Sequence, residues 1–160
     1  EYFLVSAVRM PAAPAEKCSS FAFPTSPNGR HLLTVRRGPW AIVNVHAESG
    51  RSSRDRAERA AQLLYMSRLH ENDGHRVYVL AGDFNEWQFF SKAFKALNEL
   101  LLQQKVGATF PSHFPVFALD RVWVSDDIKV KACRKLKNAK TRILSDHLPV
   151  LVDIELPQND

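Results

Sequence analysis

Residues 77–85 read VYVLAGDFN, an apolar run, Val77–Ala81, that leads into Gly82-Asp83-Phe84-Asn85. A short continuous apolar run is typical of a strand that is buried on both faces. The polar residues after it lie where the strand ends, and loops at strand ends are where sheet-based enzymes assemble their sites. This stretch therefore predicts a layered α/β domain with a polar site beside Asp83.

Strand and helix patterns alternate on either side of this stretch. Two β-rich runs, His31–Arg36 and Trp40–His46, are separated by a Gly-Pro turn and predict a hairpin. An amphipathic pattern predicts a helix over Arg54–His70, with Ser52 or Ser53 as its N-cap. The other predicted elements are a helix at Phe89–Leu101 and strands at Phe3–Val8, Arg121–Ser125, Ile128–Cys133 and Leu148–Ile154. Residues 15–30 are rich in Ser, Pro, Asn and Gly and predict an exposed connection.

The composition suits one globular domain and narrows the choice of partners. Of the 160 residues, 45% are hydrophobic, and no apolar run reaches the ~20 residues that a membrane-spanning helix needs. The net charge of +5 favours polyanionic partners, and seven basic residues with no acidic one fall between Lys129 and Arg142. A solvated basic face is the simpler interpretation of such a run. The two cysteines, Cys18 and Cys133, lack CxxC spacing, which argues against zinc and disulfides and favours a reducing compartment such as the cytoplasm.

Polar groups also lie at the ends of three other predicted strands. They are Asn44-Val45-His46, Leu119-Asp120-Arg121 and Ser145-Asp146-His147. Each group taken alone has a structural interpretation, since Asp and Asn bond their own backbone in turns and an Asp beside an Arg forms an ion pair. It is the ordered set of groups that points to chemistry.

The ordered set matches a known pattern. Its members are Asn44-x-His46, Arg59-x-x-Gln62, Gly82-Asp83-Phe84-Asn85, Thr109-Phe110-Pro111, Leu119-Asp120-Arg121 and Ser145-Asp146-His147-x-Pro149. This set resembles the endonuclease/exonuclease/phosphatase superfamily, which has the DNase I-like fold. The stretch TFPSHFPVFALDR at residues 109–121 resembles the small bacterial members, and His46-Ala47-Glu48-Ser49 is similar to a motif of the tyrosyl-DNA phosphodiesterase branch. The resemblance implies a four-layer α/β sandwich, in which two packed mixed β-sheets are flanked by helices.

The resemblance also implies the site residues. The expected catalytic residues are His46, Asp83, Asn85, Asp120 and His147. The expected ligands of Mg²⁺, or of Mn²⁺, are Asp83, Asn85 and Asp146, and the expected substrate-binding residues are Asn44, Thr109 and Arg121. In this scheme Asp83 activates the attacking water or holds metal, His147 binds the scissile phosphate, and Asp120 fixes the tautomer of His147. Carboxylates suit this chemistry because Mg²⁺ prefers oxygen ligands.

One part of the family pattern has no counterpart in this sequence. The family's first half carries a Glu that is its principal metal ligand, and neither Glu1, Glu16 nor Glu48 lies at the matching position. We therefore expect residues 1–160 to be a single domain that is the C-terminal portion of the family's fold. We expect the N-terminal half to come from the same gene or from a partner chain.

The resulting functional prediction is divalent-metal-dependent hydrolysis of a phosphoester. A phosphodiester in nucleic acid is the favoured substrate, because a basic protein docks on nucleic acid through its phosphates. A lipid or inositol phosphodiester is the alternative within the enzyme class, since the superfamily covers both and a fold does not decide between them. A non-catalytic binding module that keeps the fold is the alternative outside that class.

Overall fold

A computed structural model describes residues 17–23, 30–37, 40–72, 76–87, 91 and 94–155. The predicted strand Phe3–Val8 lies outside these residues. Within the described ranges, no helix is long and apolar enough to cross a membrane.

Eight strands and three helices make up the described part of the chain. The strands are β1 (Lys17–Ala22), β2 (His31–Arg37), β3 (Trp40–His46), β4 (Arg76–Asp83), β5 (Leu102–Gln104), β6 (Asp120–Val124), β7 (Lys129–Lys135) and β8 (Val150–Glu155). The helices are α1 (Ser53–Asn72), α2 (Lys95–Leu100) and α3 (Thr141–Leu144). Six strands form one mixed sheet in the order β1-β2-β3-β4-β6-β5, and β7 and β8 form a second sheet.

The stretch that predicts a buried strand does lie inside the large sheet. Strand β4 pairs in parallel with β3 and antiparallel with β6. Its alternate residues enter two different cores, because successive side chains of a strand point to opposite faces. Leu80 belongs to the core beneath α1 and α2, whereas Val79 belongs to the core between the two sheets.

The helix-side core explains why α1 forms where the sequence predicts it. Leu63 and Met66 are buried there, against Val43, Val45 and Trp123 of the sheet. The N-terminus of α1 is capped reciprocally: Ser52 Oγ accepts from the Asp55 backbone N at 3.1 Å, and Asp55 Oδ2 accepts from the Ser52 backbone N at 2.9 Å. The capping group thus satisfies backbone donors that the first helical turn leaves without partners.

The other face of the large sheet packs on the β7–β8 sheet. Val122 and Val124 of β6 meet Val130, Val152 and Ile154 there. Two packed sheets with helices on the outer face confirm the predicted DNase I-like class. The described residues form three of the four expected layers, and no helical layer over the β7–β8 sheet is among them.

The structure departs from one local prediction, describes a second predicted element only in part and adds two elements that were not predicted. Residues 17–22, predicted as part of an exposed connection, form β1, which pairs with β2 over its full length despite its two serines. The second helix is described only over Lys95–Leu100, and most of the N-terminal part of its predicted range lies outside the described residues. Strand β5 and helix α3 were not predicted, because elements of three and four residues are too short to show a period.

Candidate active site

Three neighbouring strands place polar side chains in one row across the large sheet. His46 of β3 is paired with Asp83 of β4, and Asp83 is paired with Asp120 of β6. The alternation of the strands puts this row on the face that also carries Val79 and Val122, towards the β7–β8 sheet. The predicted strand-end residues are therefore brought together by pairing register.

His147 reaches this row from the second sheet, just before β8. The backbone N of Leu148 donates to the Thr109 carbonyl at 3.0 Å, and Ser112 N donates to the Asp146 carbonyl at 2.7 Å. These bonds fix the His147 backbone beside the strand ends. His147 Nδ1 lies 2.7 Å from Asp120 Oδ2, and its Nε2 lies 3.8 Å from Asp83 Oδ2. The predicted contact between Asp120 and His147 is present.

The side chain of Thr109 supports Asp120 from within the fold. Its side chain is fully buried, and its hydroxyl donates to Asp120 Oδ2 at 2.5 Å. The same oxygen accepts from His147 Nδ1, so Thr109 orients the carboxylate that orients the imidazole. The expected role of Thr109 as a substrate-binding residue stays a prediction, and the contact that the structure shows for its hydroxyl is the one to Asp120.

The turn after β4 is shaped by its own polar groups. Asn85 has a left-handed backbone with φ of 50°, its N–H donates to Asp83 Oδ1 at 2.8 Å, and its side-chain nitrogen donates to the Ala47 carbonyl at 2.9 Å. Gly82 has φ of 136°, and a Cβ there would lie 2.0 Å from the Val45 carbonyl oxygen. A glycine is therefore required where β4 turns Asp83 into the row.

Burial and neighbouring charges shift the three titrating groups in different directions. Burial, followed by the nearby Asp120 carboxylate, raises the pKa of Asp83 to about 6. Burial, followed by the positive charge of Arg30, lowers the pKa of His46 to about 4. Burial opposes protonation of His147, but its hydrogen bond to Asp120 and the Asp120 charge raise its pKa above the ordinary value. At neutral pH His46 is therefore an uncharged imidazole.

Arg30 is a site residue that the sequence interpretation missed. Its Nη1 donates to His46 Nε2 at 2.8 Å, and its Nε lies 3.8 Å from Glu48 Oε2. Because a guanidinium only donates, His46 accepts on Nε2 and carries its proton on Nδ1. The position gave no sequence signal, since Arg30 follows Asn28-Gly29 in a segment with the composition of a loop.

Arg59 and Gln62 of α1, which the motif pattern includes without a role, hold the two site loops. Arg59 Nη1 donates to the Asn85 carbonyl at 2.8 Å, and its Nη2 pairs with Glu86 Oε2 at 3.2 Å. Gln62 Oε1 accepts from the Glu48 backbone N at 2.8 Å. One helix thus anchors both the loop after β3 and the loop after β4.

The remaining predicted residues lie at or beyond the edge of the row. Arg121 points to the opposite, helix-side face, where its guanidinium lies 4.6 Å from the Phe94 ring centre, and its expected role in substrate binding stays a prediction. Period-two alternation gives the reason, since Arg121 follows Asp120 on one strand. The Asn44 side chain lies against the Gly82 backbone. Asp146 is exposed, and its charge helps to raise the pKa of His147.

The implied metal can be tested against the donors that are present. No group of three or more His, Cys, Asp or Glu side chains among the described residues is placed to hold a metal ion. Asp120 is already bonded to Thr109 and His147, and Asp146 stands exposed at the edge. The described residues therefore do not by themselves complete a site for a hard divalent cation, which takes several oxygen ligands.

Comparisons with known proteins agree with this architecture. A curated relative, the uncharacterized protein YbhP of Escherichia coli K12, is 34% identical over 108 residues, which cover 62% of this chain and 42% of YbhP. The chain thus spans less than half of that relative's length.

Two solved structures show the same fold. The mannosyl-6-phosphatase Bt3783 of Bacteroides thetaiotaomicron is 18% identical to this chain with a TM-score of 0.63. The match covers 89% of this chain and 67% of the phosphatase chain. TDP2 of D. rerio in complex with a single-strand DNA product is 16% identical with a TM-score of 0.66, and the match covers 88% of this chain and 68% of the TDP2 chain. At these identities the likeness concerns the fold. The sequence profile of the Endonuclease/Exonuclease/phosphatase family matches residues 9–147, and the chain belongs to that family.

Proposed function

We propose that the chain hydrolyses phosphoesters and that its substrates are phosphodiesters. The observation that carries this proposal is the arrangement of Asp120, His147 and Asp83. Asp120 holds Nδ1 of His147 at 2.7 Å, which leaves Nε2 facing Asp83 at 3.8 Å. A positioned imidazole next to a second carboxylate supplies a hydrogen-bond donor for phosphate and an acceptor for a water proton.

The pKa directions fit these two roles. With a pKa of about 6, Asp83 is ionised at neutral pH and is a stronger base than an ordinary carboxylate. The raised pKa of His147 favours the form in which both ring nitrogens donate, one to Asp120 and one to a phosphate oxygen. In the hydrolysis step the water oxygen bonds to phosphorus, Asp83 takes its proton, and the leaving oxygen departs and takes a proton from solvent. His46, neutral and bonded by Arg30, positions the ester rather than transferring a proton.

A divalent-ion requirement, for Mg²⁺ or Mn²⁺, stays a prediction carried by the family resemblance. The described residues do not complete a cation site. The steps above therefore use only side chains of this chain, and the metal requirement needs its own measurement.

Nucleic acid and lipid are the two classes of substrate that the observations bear on. Net charge favours a polyanion such as nucleic acid, as the sequence predicts. Among the structural neighbours, one is described in complex with single-strand DNA and another as a mannosyl-6-phosphatase. Exposed apolar side chains beside the site favour the alternative, a phosphoester presented at a lipid surface.

A substrate panel tests the proposed function. Purified protein is assayed on an aryl phosphodiester, an aryl phosphomonoester, single-stranded and duplex DNA, and a phospholipid, each with Mg²⁺, Mn²⁺ or EDTA. We expect metal-stimulated hydrolysis of diesters that is lost in His147→Ala and retained in His113→Ala, which alters an exposed histidine. Absence of hydrolysis from every substrate with either metal would favour the non-catalytic binding module instead.

A further inference from the structure

Two loops next to the site expose large apolar side chains to water. Phe114 is 76% exposed, Ile143 is 80% exposed and Leu144 is 78% exposed. Phe114 lies at the tip of a small hairpin that is closed by a bridge between Phe110 and Phe117. Exposed apolar residues that occur singly need no explanation, but several together mark a contact surface.

The two loops are joined to each other and to the site. Ser112 Oγ lies within hydrogen-bonding distance of the Arg142 carbonyl, at 3.1 Å, and of the Ser145 carbonyl, at 2.7 Å. The Phe110 ring lies 4.8 Å from the His147 ring, centre to centre. The exposed apolar residues therefore belong to the wall beside His147.

Hydrogen bonds order the turn that precedes Ile143 and Leu144. Asn138 Oδ1 accepts from the Thr141 backbone N at 3.0 Å, and Thr141 Oγ1 accepts from the Asn138 backbone N at 2.9 Å. This reciprocal pair fixes the turn that begins α3. The exposure of the two aliphatic side chains is thus built into an ordered turn.

The structure divides the basic run of the sequence into two parts. Lys129 and Lys131 pair with Glu155, at 3.4 Å and 3.5 Å, at the end of the β7–β8 hairpin that is remote from His147. Lys137, Lys140 and Arg142 are exposed in the segment that leads into His147. No acidic residue lies between Lys129 and Ser145, so the charged residues that precede Ile143 and Leu144 in this segment are all positive, and the exposed Asp146 follows them.

The apolar–basic rim consists of Phe114, Lys137, Lys140, Arg142, Ile143 and Leu144. We propose that this rim docks the protein on an anionic lipid bilayer. Peripheral binding of this kind uses apolar side chains that enter the headgroup boundary together with cations that attract anionic lipid. A nucleic acid would explain the cations and could stack a base on the Phe114 ring, but it would leave the two exposed aliphatic side chains, Ile143 and Leu144, without a role. That the substrate is then a phosphoester held in or near the bilayer rests on the proposed function, whereas the docking itself does not.

Vesicle co-sedimentation tests the docking. The protein is mixed with phosphatidylcholine–phosphatidylglycerol vesicles and, separately, with vesicles of phosphatidylcholine alone, at physiological salt. We expect binding to the anionic vesicles that weakens by about 10- to 30-fold in Lys137→Gln/Lys140→Gln. The matched control, Lys129→Gln/Lys131→Gln, removes the same charge at the remote end of the hairpin and is expected to bind like the wild type.

The apolar contribution has its own pair of variants. Ile143→Ser/Leu144→Ser is expected to weaken binding by about tenfold or more, because the inserted area is lost. Leu102→Ser changes a 53% exposed leucine on β5 and is expected to have no effect. Single-stranded DNA is included as a competing ligand.

Three results would overturn the docking proposal. The first is equal binding of the protein to both vesicle types, and the second is unchanged vesicle binding by Ile143→Ser/Leu144→Ser. The third is binding of the protein to single-stranded DNA but to neither kind of vesicle. The last result would assign the rim to nucleic acid. Asp83→Asn is expected to bind vesicles like the wild type, so that loss of catalysis and loss of docking are measured independently.

Discussion

Asp83 and Ile143 lie on neighbouring walls of one site, but the charged side chain is mostly buried and the apolar one is mostly exposed. The Asp83 carboxyl is only 15% exposed and lies beside a second carboxyl, whereas Ile143 is 80% exposed in an ordered turn. Burying a charged group costs stability, whereas a largely exposed aliphatic side chain is in water in both the folded and the unfolded chain and adds little to stability. One region concentrates charge, which suits the proposed chemistry, and the other concentrates exposed apolar surface, which suits the proposed docking.

His147→Ala is the change that breaks the charged region most severely. We expect turnover to fall by about 10²- to 10⁴-fold, because the imidazole that Asp120 holds in place is removed. Steady-state hydrolysis of a phosphodiester measures the loss. His113→Ala provides the control, and equal losses in the two variants would contradict the assignment.

Arg59→Met tests whether α1 holds the site loops. Arg59→Met breaks the ion pair with the buried Glu86 carboxylate and the hydrogen bond to the Asn85 carbonyl, so the free energy of unfolding is expected to fall by about 3–5 kcal/mol. Chemical denaturation measures the change, with Arg54→Met as an exposed control on the same helix. A loss below about 1 kcal/mol would mean that the loops are held by other contacts.

Thr109→Val tests the support beneath Asp120. The buried hydroxyl bond to a carboxylate is lost while the shape is kept, and we expect the free energy of unfolding to fall by about 1–3 kcal/mol. Thermal and chemical unfolding both report it. Unchanged unfolding together with wild-type turnover would show that Thr109 does not orient Asp120.

Substitutions in the apolar–basic rim should leave the free energy of unfolding almost unchanged. Ile143→Ser/Leu144→Ser removes two exposed side chains that fill no core, so the free energy of unfolding should change by no more than about 0.5 kcal/mol. Chemical denaturation at neutral pH checks this. A loss of several kcal/mol would mean that the two side chains serve the fold and would remove the reason for proposing a docking surface.

The parts of the site that the sequence predicts are those fixed by strand ends. Strand β4 and the residues after it follow from an apolar run with a polar end, and the Asp120–His147 contact follows from the family resemblance. The contacts of Arg121 with the Phe94 ring and of Thr109 with Asp120 were not predicted, because motif spacing does not say which neighbours a side chain meets in the fold. Arg30 carried no pattern, since its role depends on a hairpin that brings a loop residue against His46.

The central claim is that Asp83 is a site residue whose ionised carboxyl lowers the stability of the fold. Its pKa is about 6 in the fold against an ordinary value of 3.8, so the folded state binds the proton more tightly than the unfolded chain. Stability therefore falls as pH rises from 3.8 to 6. Above that range the ionised carboxyl costs the fold up to about 3 kcal/mol.

The measurement that tests this claim most directly is turnover and unfolding of Asp83→Asn in one preparation, with unfolding measured in EDTA. Asp126→Asn, at an exposed position, is the matched control. We predict that Asp83→Asn loses phosphodiester hydrolysis while its free energy of unfolding at pH 7 rises by about 1–3 kcal/mol, an advantage that disappears in acid below pH 4. An Asp83→Asn variant that keeps its turnover, or that is less stable than the wild type at pH 7, would contradict the account.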